Sequence, residues 1–383
     1  MDKPTVQDIF HRFYPAYLDQ YSPSPVQAKV AHNIMNCKTG AYGANVCVCE
    51  DCGFVQIHYN SCRNRCCPMC QAVPKEMWMD ARREDVLDAP YFHLVFTVPD
   101  ILNPVIYSNQ RLLYDALYHA ASSTISELTA DPKHLGAKVG YICILHTWGS
   151  EMNFHPHIHT ILLGGGLASN NQWKDNGENF FLPIRVISKM FRGKYLEELK
   201  RLWEEDKLVF HGTAEKFRNH YTFKELLDSC YGMDWIPHCK KTFNGAQTVI
   251  KYLGKYTHRI AVSNHRIVRM DDDTVTFLVK DYRNEGQWKE LTISGVEFVR
   301  RFLMHVPPRR FVRIRHYGLL CFRTKNQKLT LCRNLLGCKK YLSKLRDMEM
   351  PEILEHLYGI KVCVCKACGG HLGKPQMKMP LRC

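Results

Sequence analysis

The histidine-rich stretch HPHIH, residues 155–159, constrains the fold more than any other feature of the sequence. Side chains alternate between the two faces of a β-strand, so His157 and His159 lie on one face and Ile158 lies on the other. The apolar residues 161–163 that follow indicate a buried strand, which would hold both imidazoles rigidly. The pattern therefore predicts a strand that carries half of a metal site, with a histidine-rich surface strand as the alternative.

The segments around this strand predict an α+β fold. Apolar runs at 91–98 and 138–148 and near Trp235 indicate strands, and helical spacing over 103–128 and 188–206 indicates two helices. The order strand, helix, strand, strand, helix, strand is the split βαββαβ arrangement, an antiparallel sheet with helices on one face.

The length of 383 residues is enough for two or three domains. We expect a helical and cysteine-rich zinc-binding domain at 1–88 and a catalytic domain that contains the histidine strand at 89–262. The remainder, 263–383, is expected to form a basic, β-rich C-terminal region.

The cysteines are clustered rather than spread along the chain. Of 18 cysteines, eight lie between Cys37 and Cys70 and four lie between Cys363 and Cys383. Clustered thiols in a reducing compartment indicate zinc rather than disulfides.

Two C-x-x-C pairs within the first cluster have the spacing of a four-thiolate structural zinc site. These pairs are Cys49/Cys52 and Cys67/Cys70. The residues left over are candidates for a second zinc: Cys37, Cys47, Cys62 and Cys66, with His58. A further C-x-x-C pair, Cys365 and Cys368, forms an incomplete knuckle in the tail.

The formal net charge of +15 indicates a polyanionic partner, because Lys and Arg displace counterions from phosphates. Nucleic acid is the first candidate and an acidic membrane surface is the second. The N-terminal residues do not resemble a signal peptide, and no apolar run reaches the ~18 residues of a membrane span. We therefore expect a soluble protein of the cytoplasm that does not enter a membrane.

The segment 300–317 contains six arginines and no acidic residue. In a strand, Arg313 and Arg315 share one face while Val312 and Ile314 face the core. The pattern predicts a basic ladder on a sheet, and the aromatic residues nearby favour a groove for single-stranded nucleic acid.

Two tyrosines occur four residues apart in a stretch predicted to be helical from residue 244 onward. Tyr252 and Tyr256 therefore project from one helical face, with Lys255 and Arg259 alongside. Core packing is the commoner role of such a pair. The presence of the histidine strand favours the alternative, a pair of nucleophiles.

Several segments, taken in order, resemble the HUH-type, two-tyrosine rolling-circle transposases of the IS91-like insertion-sequence family. The matching segments are 59–65 with 67–71, 145–149, the HPHIH strand, 252–259 and 310–318. Cys66 departs from the pattern, because such proteins usually have His there, and this leaves the zinc ligands open. The resemblance implies an HUH endonuclease fold, an RRM- or ferredoxin-like antiparallel sheet with helices, in the central domain.

The resemblance also implies a chemistry for these residues. A tyrosine attacks a DNA phosphodiester, forms a 5′-phosphotyrosine and frees a 3′-hydroxyl. Mg²⁺ or Mn²⁺ on His157 and His159 polarises the phosphate, and Lys255 or Arg259 stabilises the phenolate or the leaving oxygen. His146 is the first candidate for the third metal ligand, and His155 is the second.

The function implied is that of a transposase that nicks single-stranded DNA at element termini and rejoins strands in rolling-circle transposition. No small-molecule substrate is expected. The alternatives are a replication initiator or relaxase, or a non-catalytic zinc-dependent DNA-binding regulator. The candidate residues for DNA binding are Arg259, Arg310, Arg313 and Arg315.

Overall fold

The computed structural model describes residues 3–175, 182–235, 237–243, 248–249, 254, 260–281 and 286–378. Its helices are α1 Val6–Leu18, α2 Pro25–Met35, α3 Ala72–Arg83, α4 Asn103–Ser108, α5 Gln110–Ala130, α6 Ile184–Glu204, α7 His220–Gly232, α8 Gly295–Met304, α9 Lys325–Leu336 and α10 Met350–Tyr358. Its strands are β1 Ala44–Val48, β2 Val55–Tyr59, β3 Tyr91–Thr97, β4 Lys138–Trp148, β5 Phe154–Leu167, β6 Trp173–Asp175, β7 His238–Phe243, β8 Ile267–Met270, β9 Thr274–Asp281, β10 Gln287–Ser294, β11 Ile314–Gly318 and β12 Gln376–Lys378.

The central sheet is antiparallel and has the order β11-β4-β5-β3-β7, with β6 paired to β5. Nearly every residue of β4 and β5 is buried. Burial on both faces accounts for the continuous apolar runs in these strands, since an alternating pattern is typical of a sheet with one wet face. The molecule is therefore a mixed α/β protein built on antiparallel sheets.

Both faces of this sheet are covered. On the first face, Phe92, Leu94 and Phe96 of β3 pack in one core with α5, α6 and α7. On the second face, Ile144 and Ile161 pack with residues of α3 and α9. The expected arrangement placed helices on one face only, and the second layer arises because α3 and α9 also pack onto the sheet.

The N-terminal helices pack with the C-terminal region. Residues of α1 and α2 share a hydrophobic core with α8 and with the small sheet β10-β9-β8. The backbone N–H of Val6, at the start of α1, donates to the side-chain oxygen of Asn264, 3.1 Å away. Strand β11 in turn joins the edge of the central sheet, where Ile314 pairs with Ile144. The segments 1–88, 89–262 and 263–383 are thus interleaved in the structure.

A third sheet has the order β12-β1-β2 and joins the cysteine-rich region to the tail. Ala44 pairs with Lys378 and with Tyr59 on its two sides.

Among the helices that the structure describes, none combines the length and the apolar character needed to cross a membrane.

Candidate functional site

Three histidines converge on the second face of the central sheet. His157 and His159 lie on β5, and the antiparallel register places His146 of β4 directly opposite His157. The ligand nitrogens of all three lie within 4.8 Å of one another, and all three side chains are buried. The Nε2 atoms of His157 and His159 are 3.0 Å apart. His146, the first candidate for a third ligand, thus completes the cluster.

Hydrogen bonds at Nδ1 orient two of these rings. Nδ1 of His157 lies 2.7 Å from the carbonyl oxygen of His155, which can only accept, so this nitrogen carries the proton. Nδ1 of His159 lies 2.9 Å from Nε2 of His93. Partners at Nδ1 leave the Nε2 lone pairs directed into the cluster, as is typical of metal-binding histidines.

His93 is a residue of the site that sequence reasoning missed. It lies on β3, and its ring stacks on that of His159 with 5.1 Å between the centroids and 9° between the planes. The only signal in the sequence was a histidine within an otherwise apolar strand, YFHLVFT. Its position beside His159 depends on the pairing of β3 with β5, which no local pattern specifies.

The electrostatics favour neutral imidazoles. Burial, with the neighbouring His155, lowers the pKa of His157 to about 3. Burial, with His146, His157 and His93, lowers the pKa of His159 well below its ordinary value. Neutral imidazole is the form that binds metal ions. Three imidazole donors on one face can hold a divalent cation and leave coordination positions open.

His155, the second candidate for the third ligand, is outside the cluster. Its Nδ1 lies 3.1 Å from a carboxylate oxygen of Asp100 at the surface. His146 is instead held within the site by Trp148, whose ring stacks on it at 4.5 Å.

The predicted nucleophiles Tyr252 and Tyr256, with Lys255 and Arg259, lie outside the described residues. Among the described residues near them in the sequence, Val249 and Gly254 are both buried. Val249 is buried in the core on the histidine-bearing face, with Met79 of α3. Gly254 is buried beside the same methionine, since a Cβ added at Gly254 would collide with Met79 Sδ.

Within the part of the chain that the structure describes, eight cysteines form two groups of four, in each of which the sulfurs lie within 4.8 Å of one another. The first group is Cys37, Cys62, Cys67 and Cys70, and the second is Cys49, Cys52, Cys365 and Cys368. Sulfur–sulfur distances are 3.8 Å for Cys62–Cys70, 3.5 Å for Cys49–Cys368 and 3.7 Å for Cys52–Cys365. Tetrahedral zinc with Zn–S bonds of about 2.3 Å requires about 3.8 Å.

This grouping corrects the expected pairing of Cys49/Cys52 with Cys67/Cys70. Cys49 and Cys52 lie at the turn of the β1–β2 hairpin, whereas Cys62 follows the open end of β2. A five-residue strand spans roughly 17 Å, so the two C-x-x-C pairs cannot share one ion. The spacing in the sequence suggested a shared site because it does not reveal that an extended strand, β2, separates the two pairs.

Three other candidate ligands lie outside both groups. Cys66 is buried, and burial raises the pKa of its thiol although Arg313 and Arg65 oppose that shift. The fourth thiol of the first group is that of Cys37 and not that of Cys66. Cys47 is buried beside the second group, and His58 hydrogen bonds to Gln56 at 2.8 Å.

The expected basic ladder is also corrected. Arg313 is only 9% exposed, and Val312 instead faces solvent with 59% exposed. Arg315 forms an ion pair with Asp115 of α5, and its guanidinium lies 3.9 Å from the ring centroid of Tyr118. Helix α5 covers this face of β11, so these arginines hold the fold together.

Exposed cations occur instead just before this strand. A surface cavity of about 320 Å³ is lined by Lys29, Arg65, Arg309 and Arg310, beside Cys66. Arg65 is held there because its Nη1 donates to the carbonyl of Phe311 at 2.6 Å. Among the described arginines predicted to bind DNA, Arg310 is the one that lies in this exposed basic cluster.

Two family models match the chain, a transposase zinc-binding domain over residues 9–98 and a putative transposase over 140–328. The putative transposase y4qJ of Sinorhizobium fredii is 40% identical over 369 residues, covering 95% of this chain and 93% of that protein. The transposase for insertion sequence element IS801 of Pseudomonas savastanoi pv. phaseolicola is 30% identical over 309 residues, covering 79% and 72%.

Among solved structures, the conjugative relaxase TrwC in complex with oriT DNA is 12% identical and covers 43% of this chain and 71% of its own. Its TM-score of 0.25 is too low to support any argument. The two family models together include the cysteine-rich segment, the histidine strand and the arginine-rich strand. The chain belongs to the IS91-like family of transposases.

Proposed function

We propose that this transposase nicks single-stranded DNA at the ends of a mobile element through a 5′-phosphotyrosine intermediate and then rejoins the strands, as in rolling-circle transposition. The observation that carries the proposal is the cluster of His146, His157 and His159. It lies on the sheet face where Val249 and Gly254 are also buried. In the sequence, Tyr252 lies between these two residues and Tyr256 follows Gly254.

The donor set suits a divalent cation with open coordination positions. His146, His157 and His159 would hold it, and His93 would fix the ring of His159. When bound, such an ion acts as a Lewis acid on the scissile phosphate. We propose Mn²⁺ or Mg²⁺, and three imidazoles favour Mn²⁺ because Mg²⁺ prefers oxygen ligands.

The protein supplies the nucleophile and its positioning. The phenolic oxygen of Tyr252 or Tyr256 bonds to phosphorus as the bond from phosphorus to the 3′ oxygen breaks, and that oxygen leaves as a hydroxyl after gaining a proton. A phenol has an ordinary pKa near 10, so a nearby cation is needed to stabilise the phenolate. Lys255 and Arg259 are the proposed cations.

Two tyrosines allow two successive transfers. Residues four apart on a helix are separated by roughly 6 Å along its axis. The second phenol can therefore attack a second phosphate while the first remains joined to DNA, so the strand is moved without release. This conserves the energy of the phosphodiester bond through both steps.

The topology supports an HUH nuclease arrangement for this region. The path β7-β3-β5-β4 within the central sheet is the strand order expected of a split βαββαβ unit, with α5 and α6 as its helices. In that arrangement the histidine strand β5 lies in the middle of the sheet, where its side chains are held most rigidly.

The proposed partner is single-stranded DNA at the element termini. The net charge of +15 supports a polyanionic partner, and the basic cavity formed by Lys29, Arg65, Arg309 and Arg310 offers contacts to phosphates. We place the reaction in the cytoplasm, where DNA is present and reducing conditions keep thiols free for zinc.

The test is incubation of the purified chain with a labelled single-stranded terminus of the element, followed by denaturing electrophoresis. We expect a covalent protein–DNA adduct with Mn²⁺ that is lost in EDTA and in the Tyr252→Phe/Tyr256→Phe double variant. Tyr221→Phe is the control, because Tyr221 is 77% exposed on α7, and it should retain the adduct. Binding without any adduct would support the non-catalytic regulator instead.

A further inference from the structure

The two ends of the chain carry cysteine knuckles of the same local design. Each has the sequence C-x-x-C-G, at Cys49–Gly53 and at 365–369. The N–H of Gly53 donates to the carbonyl of Cys49 at 3.1 Å, and the N–H of Gly369 donates to that of Cys365 at 3.0 Å. Both glycines have positive φ, +71° and +78°, a conformation that other residues rarely adopt.

The two knuckles face each other. Cys49 Sγ lies 3.5 Å from Cys368 Sγ, and Cys52 Sγ lies 3.7 Å from Cys365 Sγ. These distances are too long for a disulfide, in which the sulfurs are about 2.05 Å apart. They match the edges of a tetrahedron of thiolates around one zinc ion, about 3.8 Å.

The backbone around the knuckles is paired as well. The N–H of Gly373 donates to the carbonyl of Val48 at 2.9 Å, and the N–H of Glu50 donates to that of His371 at 3.1 Å. Strand β12 continues this pairing along β1. Cys49, Cys365 and Leu372 are buried together in a small core of their own. The four sulfurs are therefore held in place by the surrounding fold.

We propose that Cys49, Cys52, Cys365 and Cys368 bind a structural zinc that attaches the tail to the N-terminal region. It is additional to the zinc that the group of Cys37, Cys62, Cys67 and Cys70 would hold. Four thiolates leave no open position, so the ion has no role in chemistry. The match to the transposase zinc-binding domain ends at residue 98, whereas two of these ligands lie in the tail.

The segment that precedes the tail knuckle packs against helix α3. Between α9 and α10, Tyr341 and Ser343 donate side-chain hydrogen bonds of 2.7 and 2.6 Å to the carboxylate of Asp80 on α3. The preceding residue on α3, Met79, lies against Gly254. A zinc ion at the end of the chain would thus help to keep the segment after α9 packed against α3, the helix that borders the histidine-bearing face.

The first test is the zinc content of the full chain purified under reducing conditions. Two zinc ions per chain are expected for the parent and one for Cys365→Ser/Cys368→Ser. The control is Cys321→Ser/Cys338→Ser, because both thiols are outside the two groups, and it should keep two. One zinc in the parent, or two in Cys365→Ser/Cys368→Ser, would overturn the proposal.

The second test measures whether zinc keeps the tail bound to the rest of the chain, and it requires no cysteine variant. A specific protease site is inserted after Lys361, which is exposed between α10 and the tail knuckle. After cleavage, the tail fragment should co-elute with the body in gel filtration and should separate when the metal is chelated. Separation without chelation, or co-elution after complete zinc removal, would contradict a zinc fastening.

Discussion

Replacement of His93 by Phe tests whether this residue positions the metal ligand His159. Phe keeps a ring that can stack on His159 but removes the nitrogen 2.9 Å from its Nδ1. The His159 ring then loses its fixed tautomer and orientation. Changes in such supporting partners typically weaken metal binding about 10- to 100-fold, which corresponds to roughly 1.4–2.7 kcal/mol.

The assay is a Mn²⁺ titration in which free Mn²⁺ is followed by electron paramagnetic resonance. His93→Gln should restore most of the affinity, because its side-chain oxygen can accept the Nδ1–H of His159. The matched control is His316→Phe on β11, a half-buried histidine of the same sheet that is far from the cluster in sequence and not part of it. Unchanged Mn²⁺ affinity in His93→Phe, or equal losses in His93→Phe and His316→Phe, would refute the positioning role.

Three further predictions concern stability, the tyrosine-bearing stretch and DNA binding. Burial lowers the pKa of His305 to about 4, so the unfolded chain gains a proton near pH 6.5 while the folded chain does not. This histidine should therefore lower the free energy of unfolding by up to about 3 kcal/mol between pH 6.5 and pH 4, measured by urea denaturation as the pH dependence of the parent minus that of His305→Gln. Gly254→Ala should lose DNA cleavage because its new Cβ collides with Met79, and adding Met79→Ala should recover part of the cleavage rate. Arg309→Ala/Arg310→Ala should weaken single-stranded DNA binding and reduce its logarithmic salt slope by about 1.4, on the basis of about 0.7 per phosphate contact.

Each of these predictions has its own control and contradicting result. Gly193→Ala on α6 meets no neighbour and should leave cleavage unchanged, whereas full activity of Gly254→Ala would remove this stretch from the site. Arg315→Ala should lower stability with little effect on the salt slope, because Arg315 pairs with Asp115. A slope unaffected by the Arg309 and Arg310 changes would place the DNA path elsewhere. An equal pH dependence of the unfolding free energy in the parent and in His305→Gln would show that His305 is not held neutral.

Local patterns predicted the elements of the site but not their assembly. The period of two in HPHIH placed His157 and His159 on one face, and apolar runs and helical spacing indicated the succession of strands and helices along the chain. The contribution of His93 depends on the pairing of strands 66 residues apart, which the sequence does not specify.

The cysteine groups illustrate the same limit. The C-x-x-C pairs are recognisable because their geometry is local, but their partners are set by the β1–β2 hairpin and by the return of the tail through β12. The prediction of an exposed arginine ladder was wrong for a related reason. Alternation along the strand does not reveal that α5 covers one face of β11, so Arg313 and Arg315 were expected at the surface.

The most direct test of the central claim is to locate the residue joined to DNA. The adduct formed with a single-stranded terminus is digested with nuclease and trypsin, and the modified peptide is identified by mass spectrometry. Trypsin cuts after Lys251, Lys255 and Arg259, so the two tyrosines fall in separate peptides, 252–255 and 256–259. We predict a nucleotide attached through Tyr252 or Tyr256 in one of these peptides. Attachment at any other tyrosine, or no covalent attachment in the presence of Mn²⁺, would contradict the proposed mechanism.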